Sequence, residues 1–350
     1  MNLGLATHGL NGESRFKILK RHIYAFMKHL TIKKLFNFIK TEYNLKTKKI
    51  RLNSLPYILK LETTNICNFK CAYCYEGRRQ PVDGERAFGK MSFDNFQKLI
   101  DDIGSYLFKI NLYGFGEPFL FPETLDMIAY ATKKNIGVGV SSNLNIDEGT
   151  LPRRIVESGL EVLIFSCHGV TQESYSKFMG KGNMELAFKN VTGILKERKA
   201  HGLKTPFIDW QFCVTKFNQS EIHLAQKKAS ELGIDNVRFI KPFFPVSAEE
   251  DFISDIFPRK RLELSNQDNP GCSWPYRSVY INYDGGVLPC CKDTRLLSND
   301  FGNVFRDGFK TIWNNDYYLK SRALIKDPAN KKLTCDTMCV RCPVTQPHLR

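Results

Sequence analysis

Three absences frame this 350-residue sequence. It has no apolar run long enough for the core of a signal peptide or for a membrane-spanning helix. The expectation is a cytoplasmic protein, whose eleven cysteines serve as metal ligands rather than disulfides. Acidic residues are scarce near the start. Residues 1–57 hold twelve Lys and Arg against Glu13 and Glu42 alone, a local charge of +10, and the other 293 residues carry only +5 of the total +15. The basic excess is therefore local, and it excludes reading the whole chain as a nucleic-acid-binding protein. Internal repeats and low-complexity linkers are also missing, which excludes a repeat architecture.

What is present is a regular alternation. Residues 1–14 read as disordered. Residues 16–43 read as one helix, with Phe16, Leu19, Ile23, Phe26 and Leu30 at three- and four-residue steps, continued by Leu35, Phe36 and Ile39. From Tyr57 strands and helices take turns. Segments 57–63, 109–114, 137–143, 161–169, 206–215 and 236–243 read as strands. Segments 92–107, 122–135, 150–159, 183–202 and 219–233 read as helices, Ser92 capping the first and Pro122 opening the second. Such alternation implies a parallel sheet with crossover helices, its short apolar strands covered on both faces. Past residue 245 the pattern changes. "SVYINYDGGVLPCC" (278–291) is two short strands around an Asp-Gly turn, and 311–325 is a further helix.

The chemistry concentrates in "TTNICNFKCAYCYEG" (63–77), which follows the first strand and spaces Cys67, Cys71 and Cys74 as C-x3-C-x2-C. Loops at the carboxyl ends of barrel strands are where such folds place their chemistry. Three thiolates can hold three irons of a cubane cluster and leave the fourth open for a small ligand. The competing reading is a zinc site, but no histidine lies nearby to complete it. Here the chain resembles the radical S-adenosylmethionine (radical SAM) superfamily, whose signature has this spacing with an aromatic before the last cysteine, here Tyr73. The resemblance implies that the open iron of a [4Fe–4S] cluster binds SAM. The cluster then cleaves SAM to a 5′-deoxyadenosyl radical that abstracts hydrogen from a substrate.

Further motifs of that family stand at the following strand ends. "YGFGEPF" (113–119) is similar to its G-G-E-P motif, with Phe115 in place of the first glycine, and implies that Gly116 and Glu117 contact the SAM amino group. Ser142 and Asn143 match the pair near the SAM ribose. "FSCHGV" (165–170) stands where relatives read S-x-D-G: Ser166 and Gly169 fit, and His168 replaces the aspartate. His168 is then either a proton carrier facing the substrate or a packing replacement. Relatives often place an arginine further on. Here 175–183 offers only Lys177 and Lys181, around Met179. Cys167 and Cys213, inside apolar strands, read as buried and inert.

Toward the end, Cys272, the C-x12-G-x4-C spacing to Cys290, "FGNV", "IWN", Arg322 and a closing C-x2-C resemble the SPASM/twitch extension. That resemblance implies an auxiliary [4Fe–4S] cluster, assigned to Cys272, Cys290, Cys339 and Cys342. Cys291 and Cys335 are left spare, Cys335 can replace Cys339, and a four-cysteine zinc ribbon is the alternative.

The fold expected is α/β, a partial (β/α)6 TIM-type barrel (57–245) between an N-terminal helical extension (1–56) and a small C-terminal Fe–S domain (246–350). The function expected is a radical SAM enzyme oxidising or epimerising a small molecule such as a sugar, fed by a flavodoxin-like or other low-potential electron donor. A maturase of ribosomally made peptides is the alternative; residues 1–56 are short for a winged-helix peptide-binding domain and show no strands. A non-catalytic iron–sulfur or zinc protein is the reading from another class. The basic helix either packs on the barrel, lies on an anionic membrane, or serves as a recognition arm.

Overall fold

The computed structural model describes residues 12–72, 74, 80–241, 252–256, 272–328 and 336–342. Tyr73, Cys335, residues 1–11 and the expected boundary at 245/246 lie outside them.

Two helices come first, α1 (Gly12–Lys28) and α2 (Ile32–Lys46), in place of the single helix expected over 16–43. The disorder expected over 1–14 does not hold for 12–14, which open α1. The chain breaks where His29 turns inward, its Nδ1 pairing with Asn135 Oδ1 at 3.0 Å and its Nε2 with Glu161 Oε1 at 3.1 Å. Thr31 then caps α2, its hydroxyl accepting from Lys34 N.

Strand and helix then alternate as β1 (Ile58–Leu61), α3 (Phe93–Ile103), β2 (Lys109–Leu112), α4 (Glu123–Lys133), β3 (Gly137–Ser142), α5 (Leu151–Glu157), β4 (Val162–Ser166), α6 (Gln172–Met179), α7 (Met184–Ala200), β5 (Phe207–Cys213), α8 (Ile222–Leu232) and β6 (Asn236–Ile240). The six expected strands pair in parallel in chain order. Ser92 caps α3 as expected, its hydroxyl accepting from Asn95 N, whereas Pro122 occupies the N-cap of α4 rather than its first turn. The extra helix α6 has its own cap in Thr171.

After the barrel come α9 (Trp274–Arg277), β7 (Ser278–Ile281), β8 (Val287–Leu288), α10 (Val304–Asp307), α11 (Phe309–Trp313) and α12 (Asp316–Lys326). The expected hairpin is β7–β8. The helix expected over 311–325 divides at Asn314–Asn315, because Asn315 accepts from Tyr318 N and starts α12. One pairing has no counterpart in the sequence reading. β7 runs parallel to β1, with Ser278 opposite Ile58 and Ile281 opposite Leu61. The sheet therefore has eight strands in the order β6-β5-β4-β3-β2-β1-β7-β8.

Strand periodicity divides the sheet into two faces. Leu59, Leu61, Ile110, Leu112, Leu163 and Phe165 are fully buried in the apolar core. The other face is polar rather than apolar. There Arg238 pairs with Asp209 at 3.0 Å, and Ser141 bonds Ser166 at 3.0 Å.

The helical pair α1–α2 lies across the end of the barrel where the strands begin. Phe26 stacks on Phe108 at 4.6 Å, Lys34 Nζ donates to Asn135 O at 2.5 Å, and Phe38 packs on Tyr57 at 5.2 Å. The Arg21 guanidinium sits over the Phe207 ring at 5.4 Å. The strand carboxyl ends lie on the opposite side.

Candidate active site

The loop leaving β1 is fixed before its first cysteine. Thr64 Oγ1 donates to Gly89 O at 2.8 Å and accepts from Ile66 N at 3.0 Å. Asn65 grips the returning segment with both ends of its amide, at Ala87 O and Gly89 N. Further on, Asn68 donates to Asn145 O at 2.8 Å and accepts from Asn143 Nδ2 at 2.9 Å. Short polar side chains thus dictate the path of the loop.

Cys67, Cys71 and Cys74 line one cavity of about 240 Å³, shared with residues from the carboxyl ends of β2, β3 and β4. Burial pushes the Cys67 thiol up to about 12, and burial plus the neighbouring Cys74 and Cys67 moves Cys71 the same way. Three soft sulfur donors facing one cavity fit an iron–sulfur cluster, whose positive irons offset what burial costs the thiolates. Among the described residues no three His, Cys, Asp or Glu side chains are arranged around a single metal ion; a cubane spreads its thiolates over separate irons.

Glu117 organises the next two loops. Its Oε1 accepts from Ser142 Oγ at 2.7 Å and Phe119 N at 3.2 Å, and its Oε2 accepts from Asn143 N at 2.8 Å. Burial raises its carboxyl to about 7 against these donors. Ser142 and Asn143 are therefore positioned by Glu117 as well as lining the cavity beside it. Gly116 is glycine for a reason other than ligand approach. A Cβ there would meet the Thr64 carbonyl oxygen at 2.3 Å and that of Ile66 at 2.8 Å, so the β2 loop lies directly on the cysteine loop. At Gly114 a Cβ would meet Glu62 Oε1, whose carboxylate accepts from Phe115 N at 2.9 Å; this accommodates Phe115 where relatives have glycine.

Ser166 and His168 also line the cavity. His168 is buried, its Nδ1 accepting from Cys213 N at 3.2 Å and its ring meeting Phe178 edge-on at 4.5 Å. Burial lowers it to about 4, so it is neutral at pH 7. Lys177 does not supply charge here: its ammonium pairs with Glu173 on the surface, and Lys181 is exposed. α6 instead turns Phe178 and Met179 inward. Those two, Tyr113 and Ser141 escaped the motif reading, and only their places near helix and strand ends could have flagged them. Cys167 and Cys213 are buried as expected.

A second group of thiols gathers at the hairpin. Burial pushes Cys272 up to about 12, and Cys339 and Cys342 stand near enough to raise it further. Cys290 is raised by burial and then by Cys291, Cys339 and Cys272. The four assigned cysteines thus share one neighbourhood, with Cys291 exposed beside them. Arg322, fully buried, braces it by donating to Pro275 O, Trp313 O and Asn314 Oδ1.

A half-open parallel barrel carrying three thiols at its mouth and four more behind it is the arrangement of a radical SAM enzyme with an auxiliary iron–sulfur domain, and the chain belongs to that family. Residues 61–205 match the radical SAM superfamily, and residues 272–343 match SPASM, an iron–sulfur cluster-binding domain. Its cofactors are accordingly SAM, a [4Fe–4S] cluster and auxiliary iron–sulfur. Among relatives, the chain is 22% identical over 306 residues to the tungsten-containing aldehyde ferredoxin oxidoreductase cofactor-modifying protein of Pyrococcus furiosus, covering 77% of this chain and 84% of that one. It is 25% identical over 290 residues to the antilisterial bacteriocin subtilosin biosynthesis protein AlbA of Bacillus subtilis, covering 75% and 60%. In fold it is similar to Streptococcus suis SuiB bound to S-adenosylmethionine, with a TM-score of 0.63 at 17% identity over 95% of this chain and 83% of that one.

Proposed function

We propose that this radical SAM enzyme is a maturase acting on a ribosomally made peptide or protein, rather than on a free sugar. The observation that supports this most is the naming of its relatives for bacteriocin biosynthesis and for modification of an enzyme's cofactor. In this reading Cys67, Cys71 and Cys74 hold the cluster that binds SAM, with Tyr73 in the same loop. The chemistry such a cluster would supply when bound and reduced is the cleavage of SAM to methionine and a radical able to take hydrogen from the substrate. Gly116 and Glu117 are assigned to the SAM amino group, Ser142 and Asn143 to its ribose. Glu117 acts largely through the residues it orients, since its oxygens already take three donors.

Ser166 is assigned with Ser142 and Asn143 to the cofactor, and His168 to the substrate side. With Nδ1 accepting from Cys213, neutral His168 carries its proton on Nε2 and serves as an uncharged donor rather than an acid. Cys272, Cys290, Cys339 and Cys342 are assigned to the auxiliary [4Fe–4S] cluster, and a flavodoxin-like or other low-potential protein to electron supply. The reducing chemistry suits a cytoplasmic setting; among the described residues no helix is long and apolar enough to cross a membrane. The division into 1–56, 57–245 and 246–350 is kept as part of this proposal.

The test is anaerobic turnover of reconstituted enzyme with SAM, dithionite and the short peptides encoded beside it, followed by mass spectrometry. The expected result is 5′-deoxyadenosine together with a peptide whose mass has changed. Unaltered peptides alongside turnover of a sugar would overturn the reading.

A further inference from the structure

The second helix is inverted relative to an ordinary surface helix. On α2 the buried residues are all polar: Lys34, Asn37, Thr41 and Asn44. Each is held inward by hydrogen bonds, Asn37 by both the N–H and the carbonyl of Leu55, and Asn44 through its Nδ2 by Asn53 and Ser54. The apolar residues point outward instead: Ile32 is 78% exposed, Phe36 60% and Ile39 53%. α1 continues the patch with Leu19 and Ile23, both exposed. The counterpart of this face is apolar, since a row of large apolar side chains exposed along one helix face marks a docking surface.

Charge narrows the choice of partner. Exposed Lys20, Lys33, Lys40 and Lys46 flank the apolar strip. Between residues 16 and 56 the single carboxylate is Glu42. It is turned away, receiving Arg277 and the Tyr57 hydroxyl. A second copy of the chain would set one cationic rim against another. An apolar strip flanked by lysines and bare of acids is the pattern of a helix lying at the headgroup boundary of an anionic bilayer.

We propose that the outward face of α1–α2 docks this enzyme on an anionic lipid surface. The inward face closes the barrel, as the Phe26–Phe108 stack and the Lys34–Asn135 bond require. The cavity opens at the other end of the strands, so a docked enzyme presents its site away from the bilayer. The docking is independent of which substrate the site takes.

The test uses the full chain, anaerobically reconstituted, in sedimentation with vesicles of phosphatidylcholine alone or with added phosphatidylglycerol. Wild type is expected to sediment with the anionic vesicles only and to be released as salt rises. The variant I32S/F36S/I39S and the separate variant K20E/K40E should each lower the bound fraction about tenfold or more. Both should keep the wild-type circular dichroism, because all five side chains are exposed; the charge-reversal variant tests the same face should the serine variant fold poorly. Wild type left in the supernatant at low salt would overturn the proposal. So would equal binding by wild type and both variants, or a wild-type dimer that the serine variant dissociates without any vesicle binding.

Discussion

Glu117 shows how much of the site rests on single side chains. Three donors meet its two oxygens while burial opposes its charge. Glu117→Gln replaces one acceptor oxygen with an NH2 facing a donor, and should cost about 1–3 kcal/mol in urea unfolding of the apo chain. The pH dependence has two opposing parts. Glu117, raised to about 7 from 4.5, contributes stability that is full below pH 4.5 and lost as pH rises through 7. His168, lowered to about 4 from 6.5, contributes stability present above 6.5 and lost as pH falls toward 4. His168→Asn should therefore flatten the acid limb of stability against pH, by up to about 1.4 kcal/mol per pH unit in that window. A limb unchanged by the substitution would show that another group governs it, such as the half-buried His22, which burial lowers to about 3. The cysteine loop, Glu117, Ser142 and Asn143 were legible as motifs because their spacing is chemical. Their mutual bonding was not, since nothing in a motif states which side chain holds which.

At the scale of elements, α1–α2 form the floor of the barrel. Removing residues 1–50 should uncover Tyr57 and Phe108, so the truncated chain should aggregate or bind a hydrophobic dye, while wild type does neither. A monodisperse, SAM-competent truncation would count against the floor. The apolar periodicity over 16–43 was real, but much of it marked the outer face; on α2 polar residues fill the buried positions, and Phe26 and Phe38 are among the members that pack inward. Burial follows hydrogen-bond partners such as Leu55 and Asn135, which lie far along the chain and leave no local trace. The divided helices at 29–31 and 314–315 were missed for a related reason. Thr31 and Asn315 are ordinary residues until their side chains accept from the backbone three residues on.

For the whole molecule, anaerobic reconstitution should load about eight irons per chain, four for each of two cubane clusters. Replacing Cys67, Cys71 and Cys74 together by alanine should leave about half of that iron, the auxiliary share, and abolish SAM cleavage. Cys290→Ala should lower the iron by a similar fraction and leave the spectroscopic SAM–cluster complex intact. Metal analysis that finds zinc without iron in wild type would contradict both. The order of the six barrel strands was readable from the alternation of patterns. The seventh and eighth were readable only as a hairpin, because a strand's sequence carries no address for its neighbour.

The β1–β7 pairing sets a timetable for synthesis. β1 leaves the ribosome early, yet the strand that covers its outer edge follows roughly two hundred residues later, about ten seconds or more at ordinary elongation rates. Through that interval the β1 edge of the nascent sheet stands open, in addition to the β6 edge that ends the sheet throughout, and exposes backbone donors and acceptors of the kind on which neighbouring chains join. Ser278–Ile281 is thus the latch that retires the edge. A chain stalled before residue 278 should associate with its neighbours on a polysome more than one released beyond β8.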